Sequence, residues 1–215
     1  MPRAAPLAAP RARGYTPSPM VIADALRPGF ARPTVTPAAA FAYDLALIAA
    51  GSALIALSAQ VAIPLPFSPV PVTGQTFAVL LVASLLGRVR GTAAVLAYLA
   101  EGAAGLPVFA GAAAGPAALL GPTGGYLAGF TLGAYVCGFL AERGWERTPL
   151  KTTASMILGN IAIFALALPW LARFVGASNV WALGFWPFIP GDIVKIGLAA
   201  ALLPIGWKAL GARGR

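Results

Sequence analysis

Histidine is missing from all 215 residues, and cysteine occurs once, at Cys137. Without imidazole there is no Ser-His triad, no His-based zinc site and no imidazole acid–base chemistry. A single cysteine excludes an internal disulfide framework, and in its apolar run Cys137 is expected to be a small buried side chain. Charge is scarce as well: 10% of residues are charged against 59% hydrophobic, and only six are acidic. A soluble domain of this size carries about a quarter charged residues, so these are too few to solvate a globular surface. The G-x-x-x-x-G-K-[ST] signature of nucleotide hydrolysis is also absent. What is present is a series of long apolar runs broken by 25 Gly and 20 Pro. That is the pattern of an integral membrane protein.

Residues 1–40 are rich in Pro, Ala and Arg, lack a signal-peptide core, and read as a flexible cytoplasmic tail. Six apolar stretches follow, at about 45–63, 73–87, 92–108, 124–141, 154–172 and 188–206. They predict an all-α membrane domain over 41–208, a bundle of six transmembrane helices, with a basic tail at 209–215. Several are shorter than the ~20 residues of an ideal span. If the six alternate, 13 of the 15 basic residues share one side, and only Arg173 and Lys195 fall elsewhere. The shared set is five tail arginines, Arg88, Arg90, Arg143, Arg147, Lys151, Lys208, Arg213 and Arg215. By the positive-inside rule that side is the cytoplasm, and both termini lie there. The net charge of +9 is thereby explained without nucleic acid.

The opposite loops differ in kind. "IPLPFSPVPVTGQ" has prolines at near-alternate positions, which favours a stiff extended segment. "GLPVFAGAAAGPAALLGPTGGY" is long and still apolar, and "RFVGASNVWALGFWPFIPGD" adds Trp181, Phe185, Trp186 and Phe188. Loops this apolar are expected to fold onto the outer face as a lid, or to contribute the tryptophans to an interfacial belt. Gly125, Gly129 and Gly133 recur every four residues and predict close helix packing within the chain. A similar small-residue stripe in the first span, Ala42, Ala46 and Ala50 with Ala49 and Ala53, suits either internal packing or docking to another membrane subunit.

"FIPGDIVKIGLAAALLPIGW" (188–207) is almost wholly apolar yet carries Asp192 and Lys195. A charge at the middle of a span costs roughly 2.5–3.5 kcal/mol. Residues at i and i+3 share a helical face, so the two can partly neutralise each other. An apolar pair would pack at less cost, and Pro190-Gly191 sets the pair at a helix start facing the outer loops. A ligand contact is therefore the favoured reading. A carboxylate only accepts hydrogen bonds and an ammonium only donates them, which suits a planar urea- or amide-like group. Gln60, Thr73, Gln75, Thr123, Tyr126 and Glu101 are further candidates for the same mouth. Glu101 either faces the cavity or pairs with Arg173 or Lys195.

"SAQVAIPLPFSPVPVTGQTFAVLL", "AYLAEGAAGLPVFAG", "LLGPTGGYLAGF" and "PGDIVK" resemble, in order and spacing, the BioY family of biotin-binding S-components of energy-coupling factor (ECF) vitamin transporters. The likeness covers residues 45–206. It implies a six-helix, multi-pass protein of the cell inner membrane that captures biotin at the outer face, with Asp192 and Lys195 on the ureido ring. The apolar part of biotin would meet Phe109, Trp186 and the "GPTGGY" loop, which holds Thr123, Gly124 and Tyr126, with Gln75 nearby; Arg173 is a candidate for the carboxylate tail. Where some family members carry an Asn after "GLPVF", this chain has Ala. The resemblance also implies that this chain is not an enzyme and holds no cofactor. ATP is used by partner subunits, a transmembrane coupling protein and two ATPases, and Ala46, Ala49, Ala50 and Ala53 resemble the docking surface. The alternatives are an S-component for another vitamin or an intramembrane enzyme. The latter lacks the carboxylate cluster or Ser/His arrangement it needs.

Overall fold

The computed structural model describes residues 21–26 and 36–213, and is almost entirely helical. In chain order the elements are α1 (Ile22–Ala25), α2 (Pro37–Gln60), the two-residue strands β1 (Ala62–Ile63) and β2 (Val72–Thr73), α3 (Gln75–Ala103), α4 (Pro116–Leu120), α5 (Gly124–Ala141), α6 (Pro149–Val175), α7 (Val180–Gly184) and α8 (Ile189–Arg213). Five helical stretches are long and apolar enough to cross a membrane: α2, α3, α5, α6, and α7 with α8. The helices start where local chemistry favours it. The Thr36 hydroxyl accepts from the Ala39 amide at 3.3 Å and Pro37 opens α2, while Pro149 opens α6 and Gly176, at φ 81°, closes it.

The second and third apolar stretches are two helical arms, carried together in α3, and the chain reverses between them at Gly87 with no intervening loop; φ 83° and ψ 176° there are open essentially to glycine alone. In a straight helix Gln75 and Tyr98 would stand about 35 Å apart, yet the Gln75 amide donates to the Tyr98 hydroxyl. Gly91 likewise lies against the backbone of Ala83, so tightly that a Cβ there would sit 2.6 Å from its Cα. The reversal is tied down by Glu142, which accepts from the Arg88 amide at 3.0 Å and pairs with its guanidinium at 3.2 Å. Both arms pack on α2 at Gly51, where an added Cβ would meet Val82 and Ala94.

The glycine stripe of α5 faces α6: a Cβ on Gly129 would lie 2.6 Å from the Ile163 carbonyl, and one on Gly125 2.4 Å from Trp170. Packing within the chain is therefore what the stripe does. The core runs down the middle through Ile55, Leu80, Tyr98, Met156, Ile163 and Leu203. Outward, the bundle shows lipid-compatible side chains such as Leu57 at 69% exposure and Ile193 at 64%. On α8 the division follows the helical period. Asp192, Lys195, Ala199 and Leu203 turn inward, while Ile193, Val194, Leu198, Leu202 and Ile205 turn outward.

One end of the bundle gathers the Gly87 reversal, the 142–148 loop and the end of α8, and with them Arg88, Arg90, Arg143, Arg147, Lys151 and Lys208. Two boundaries differ from the sequence expectation there. Residues 21–26, expected in a loose tail, pack on the bundle: Val21, Ile22 and Ala23 are buried, the Tyr43 hydroxyl donates to the Ala23 carbonyl at 2.9 Å, and Arg90 pairs with Asp24 and, at 3.4 Å, with Asp44. Buried apolar area and a shared cation hold this short segment on the bundle. α2 begins at Pro37 rather than near 41, and α8 extends through Arg213 into the expected C-terminal tail. The rest of the tail expectation, over 1–20, 27–35 and 214–215, lies outside the described residues.

Candidate ligand-binding site

At the end opposite the basic cluster, the loops close over a cavity of about 320 Å³, within the size range of small-ligand pockets. Its roof is the β1–β2 loop, with Pro69, Val70 and Pro71, and the 104–123 segment, with Phe109, Ala113, Pro122 and Thr123. Its floor and walls come from α3, α5, α6 and α8. The roof is fastened by side chains. Gln60 at the end of α2 reaches over the second loop, donating to the Val108 and Phe109 carbonyls, both at 3.3 Å, and accepting from the Ala112 amide at 3.2 Å. Ser68 donates to the Leu183 carbonyl at 2.7 Å, tying the β1–β2 loop to α7.

Asp192 and Lys195 sit on the first turns of α8 and both line this cavity. Asp192 is 5% exposed. Its Oδ1 accepts from Lys195 Nζ at 3.2 Å, while its Oδ2 is buried and has no partner among the described residues. Lys195 Nζ also donates to Thr76 Oγ1 at 2.8 Å. A buried carboxylate oxygen without a donor costs roughly 1–3 kcal/mol or more, so the pair is half-satisfied. One carboxylate oxygen, itself buried, is left without a donor beside an ammonium, in the wall of a mostly apolar cavity whose other polar residues include Thr73, Gln75, Thr76 and Thr123. Around it stand aromatic walls: Tyr126 lies 5.6 Å from Phe188 and 6.2 Å from Phe164, centroid to centroid, and Phe109 meets Tyr98 edge-on at 5.4 Å. The Tyr126 hydroxyl donates to the Gly184 carbonyl, so its ring is fixed as a wall with its polar tip spent on the fold.

Of the residues singled out from sequence, Asp192, Lys195, Tyr126, Thr123, Gln75 and Phe109 line the cavity, as does Thr73. Gln75 bonds the Tyr98 hydroxyl through its amide nitrogen, and its oxygen accepts from Thr73 at 3.1 Å. Gly124 and Trp186 do not line it. Gly124 instead lets the preceding loop close down on α5, since a Cβ there would fall 1.9 Å from the Leu119 carbonyl. Trp186 is 63% exposed and stacks edge-on with Phe185 on the outside. Trp181 is likewise on the exterior. The segment between α6 and α8 thus lends the cavity Phe188 rather than its tryptophans.

Glu101 takes neither expected role. The buried Ser52 hydroxyl donates to it at 2.7 Å, which pins the second arm of α3 to α2. Arg173 lies over the Trp170 ring at 5.1 Å and is not part of the cavity wall. Gln60 fastens the roof without lining the hollow. Sequence reasoning missed Thr76 and Phe164, and named Phe188 only as part of an apolar outer loop. Thr76 meets Lys195 across 119 residues of chain, and no local pattern marks such a pairing. Ala46, Ala49, Ala50 and Ala53 all face outward on α2, with no neighbouring helix over them among the described residues.

A helical bundle with membrane-spanning character, and a roofed cavity of ligand size with one buried acid–base pair in its wall, defines a multi-pass membrane protein with a small-ligand pocket. The chain belongs to the BioY family, whose profile matches residues 31–212. It is 44% identical over 167 residues to the biotin transporter BioY of Thermotoga maritima, covering 76% of this chain and 96% of that protein. It is 38% identical over 182 residues to the biotin transporter BioY of Rhizobium etli, covering 79% and 97%. Among solved structures it resembles the S-component for biotin from an ECF-type ABC transporter. The TM-score is 0.70 and the identity 27%, over 81% of this chain and 95% of that one.

Proposed function

We propose that this chain is a biotin-capturing S-component, and that biotin enters the cavity with its ureido ring on Asp192 and Lys195. The observation that carries the proposal is the unpartnered Asp192 Oδ2 beside the Lys195 ammonium, inside an apolar hollow of about 320 Å³. A ureido ring offers two N–H donors and one C=O acceptor in a plane. One N–H reaches Oδ2, the carbonyl accepts from Nζ, and both charges stay paired. The thioether ring and aliphatic chain lie among Phe109, Tyr126, Phe164 and Phe188, where their burial contributes about 25 cal/mol per Å².

In this reading the basic end faces the cytoplasm. The two arms of α3 count as separate crossings, giving six in all with both termini inside, and the membrane is the cell inner membrane. The chain carries out no chemistry and holds no cofactor. ATP is hydrolysed by partner ATPase subunits through a transmembrane coupling subunit, which docks on the outward alanine face of α2. That face brings backbones close where lipid supplies little association force.

The test is equilibrium binding of labelled biotin to the purified protein in nanodiscs, with unlabelled biotin, thiamine and riboflavin as competitors. Saturable binding displaced by biotin alone supports the reading. An absence of saturable binding, or equal displacement by the other vitamins, overturns it.

A further inference from the structure

Lys195 has three N–H donors and no acceptor. Two of the three are accounted for, by Asp192 Oδ1 and Thr76 Oγ1. Beside them, α3, α6 and α8 line a small cleft of about 10 Å³, with Thr76, Asn160 and Lys195 among apolar side chains. Asn160 interrupts an apolar run of α6. Its Nδ2 donates to the Met156 carbonyl at 3.0 Å, and its Oδ1 is buried without a partner among the described residues. Polar side chains inside a span face the bundle interior for a reason, and an amide that only bonded its own helix would need no such oxygen. A gap of this size is closed by one bridging water or a small side-chain rotation.

We infer that Asn160 is a positioning residue for Lys195, acting with Thr76 from the side of the ammonium that faces away from the ligand. An ammonium beside a lone carboxylate settles between its two oxygens and satisfies both. Here Asp192 on α8 and Thr76 on α3 take two of its donors, and Asn160 on α6 takes the third through one bridging water or a small rotation. Lys195 is thereby held to Oδ1 alone, and Oδ2 stays available to the guest. The division of labour inside the charged pair is set by this back wall, and the inference rests on the biotin reading of the cavity.

The test is a double-mutant cycle on biotin affinity in the full-length protein, using N160L, K195M and N160L/K195M, with thermal unfolding as the check on folding. N160L is expected to weaken binding roughly tenfold, the scale of one hydrogen bond to a charged group. In the K195M background it is expected to add no further loss, because the group it positions is gone. Asn160→Asp, which keeps an acceptor at the same place, is expected to recover most of the affinity. Should N160L fail to fold, T76V removes the other back-wall acceptor with less change of shape and is predicted to show the same dependence on Lys195. Equal losses in both backgrounds, or unchanged affinity of folded N160L, overturn the positioning role while leaving biotin binding intact. A wild-type protein that does not bind biotin overturns both.

Discussion

Replacing Asp192 by Asn keeps the shape of the side chain and removes its charge. Two effects then act, and they must be separated. First, the ligand N–H loses a charge-assisted acceptor at Oδ2, a contact that contributes about 1.5–3 kcal/mol. Second, Lys195 keeps Thr76 at 2.8 Å but loses its carboxylate at 3.2 Å, and breaking a buried pair costs roughly 3–5 kcal/mol. That second cost falls on the free protein as well as the complex, so it appears mainly as lost stability. Affinity should therefore drop by about 2–3 kcal/mol, which is roughly 30- to 150-fold at 1.36 kcal/mol per decade, and the melting temperature should drop with it. The assay is equilibrium binding of labelled biotin, with Asp44→Asn as a control, because Asp44 pairs with Arg90 at the basic end, far from the cavity. An Asp192→Asn protein that folds and binds within threefold of wild type would refute the reasoning.

Three further outcomes are expected. In Gly102→Ala the new methyl would fall 2.1 Å from the Phe109 ring; the ring must move into the cavity it lines, weakening biotin binding at least tenfold by titration and costing about 1–3 kcal/mol of stability. Gly87→Ala places a side chain at φ 83° and 3.0 Å from Glu142, and should lower stability by about 1–3 kcal/mol in thermal unfolding while leaving the affinity of the folded fraction unchanged. Glu146, in the loop before α6, is buried and bonded by Trp207 at 3.0 Å; burial pushes its carboxyl up from 4.5 to about 7 against the opposing pull of Trp207 and Arg147. Between those values the folded state holds a proton that the unfolded chain has released, so the contribution of Glu146 to stability is full below pH 4.5, falls as pH rises to about 7, and is level above. The change is on the order of 3 kcal/mol, and Glu146→Gln should remove this component from the profile of melting temperature against pH.

How far the sequence reached can be judged residue by residue. Asp192 and Lys195 were legible because charge in an apolar helix is rare and its i, i+3 spacing is a property of any helix. The glycine stripe of α5 was legible for the same reason: period alone puts Gly125, Gly129 and Gly133 on one face. Gly124 and Trp186 do not line the cavity, because position in a motif does not say which way a loop residue turns. Gly124 proved to be a close-approach glycine under Leu119, and Trp186 a ring on the exterior. Arg173 and Glu101 were open choices that only their neighbours, Trp170 and Ser52, resolved.

By itself the sequence determined the solvent and the stripes. Residue hydropathy fixes lipid as the medium, basic residues gather at one end, and helical period decides which side chains share a face, since each depends only on residues close along the chain. The tertiary structure decided what meets what: that α3 folds back at Gly87, that residues 21–26 pack under the basic end, and that Lys195 bonds both Thr76 and one oxygen of Asp192 while the other oxygen has no partner among the described residues. Those contacts join residues up to 119 positions apart. Their energies depend on distance and burial, which exist only once the helices have packed.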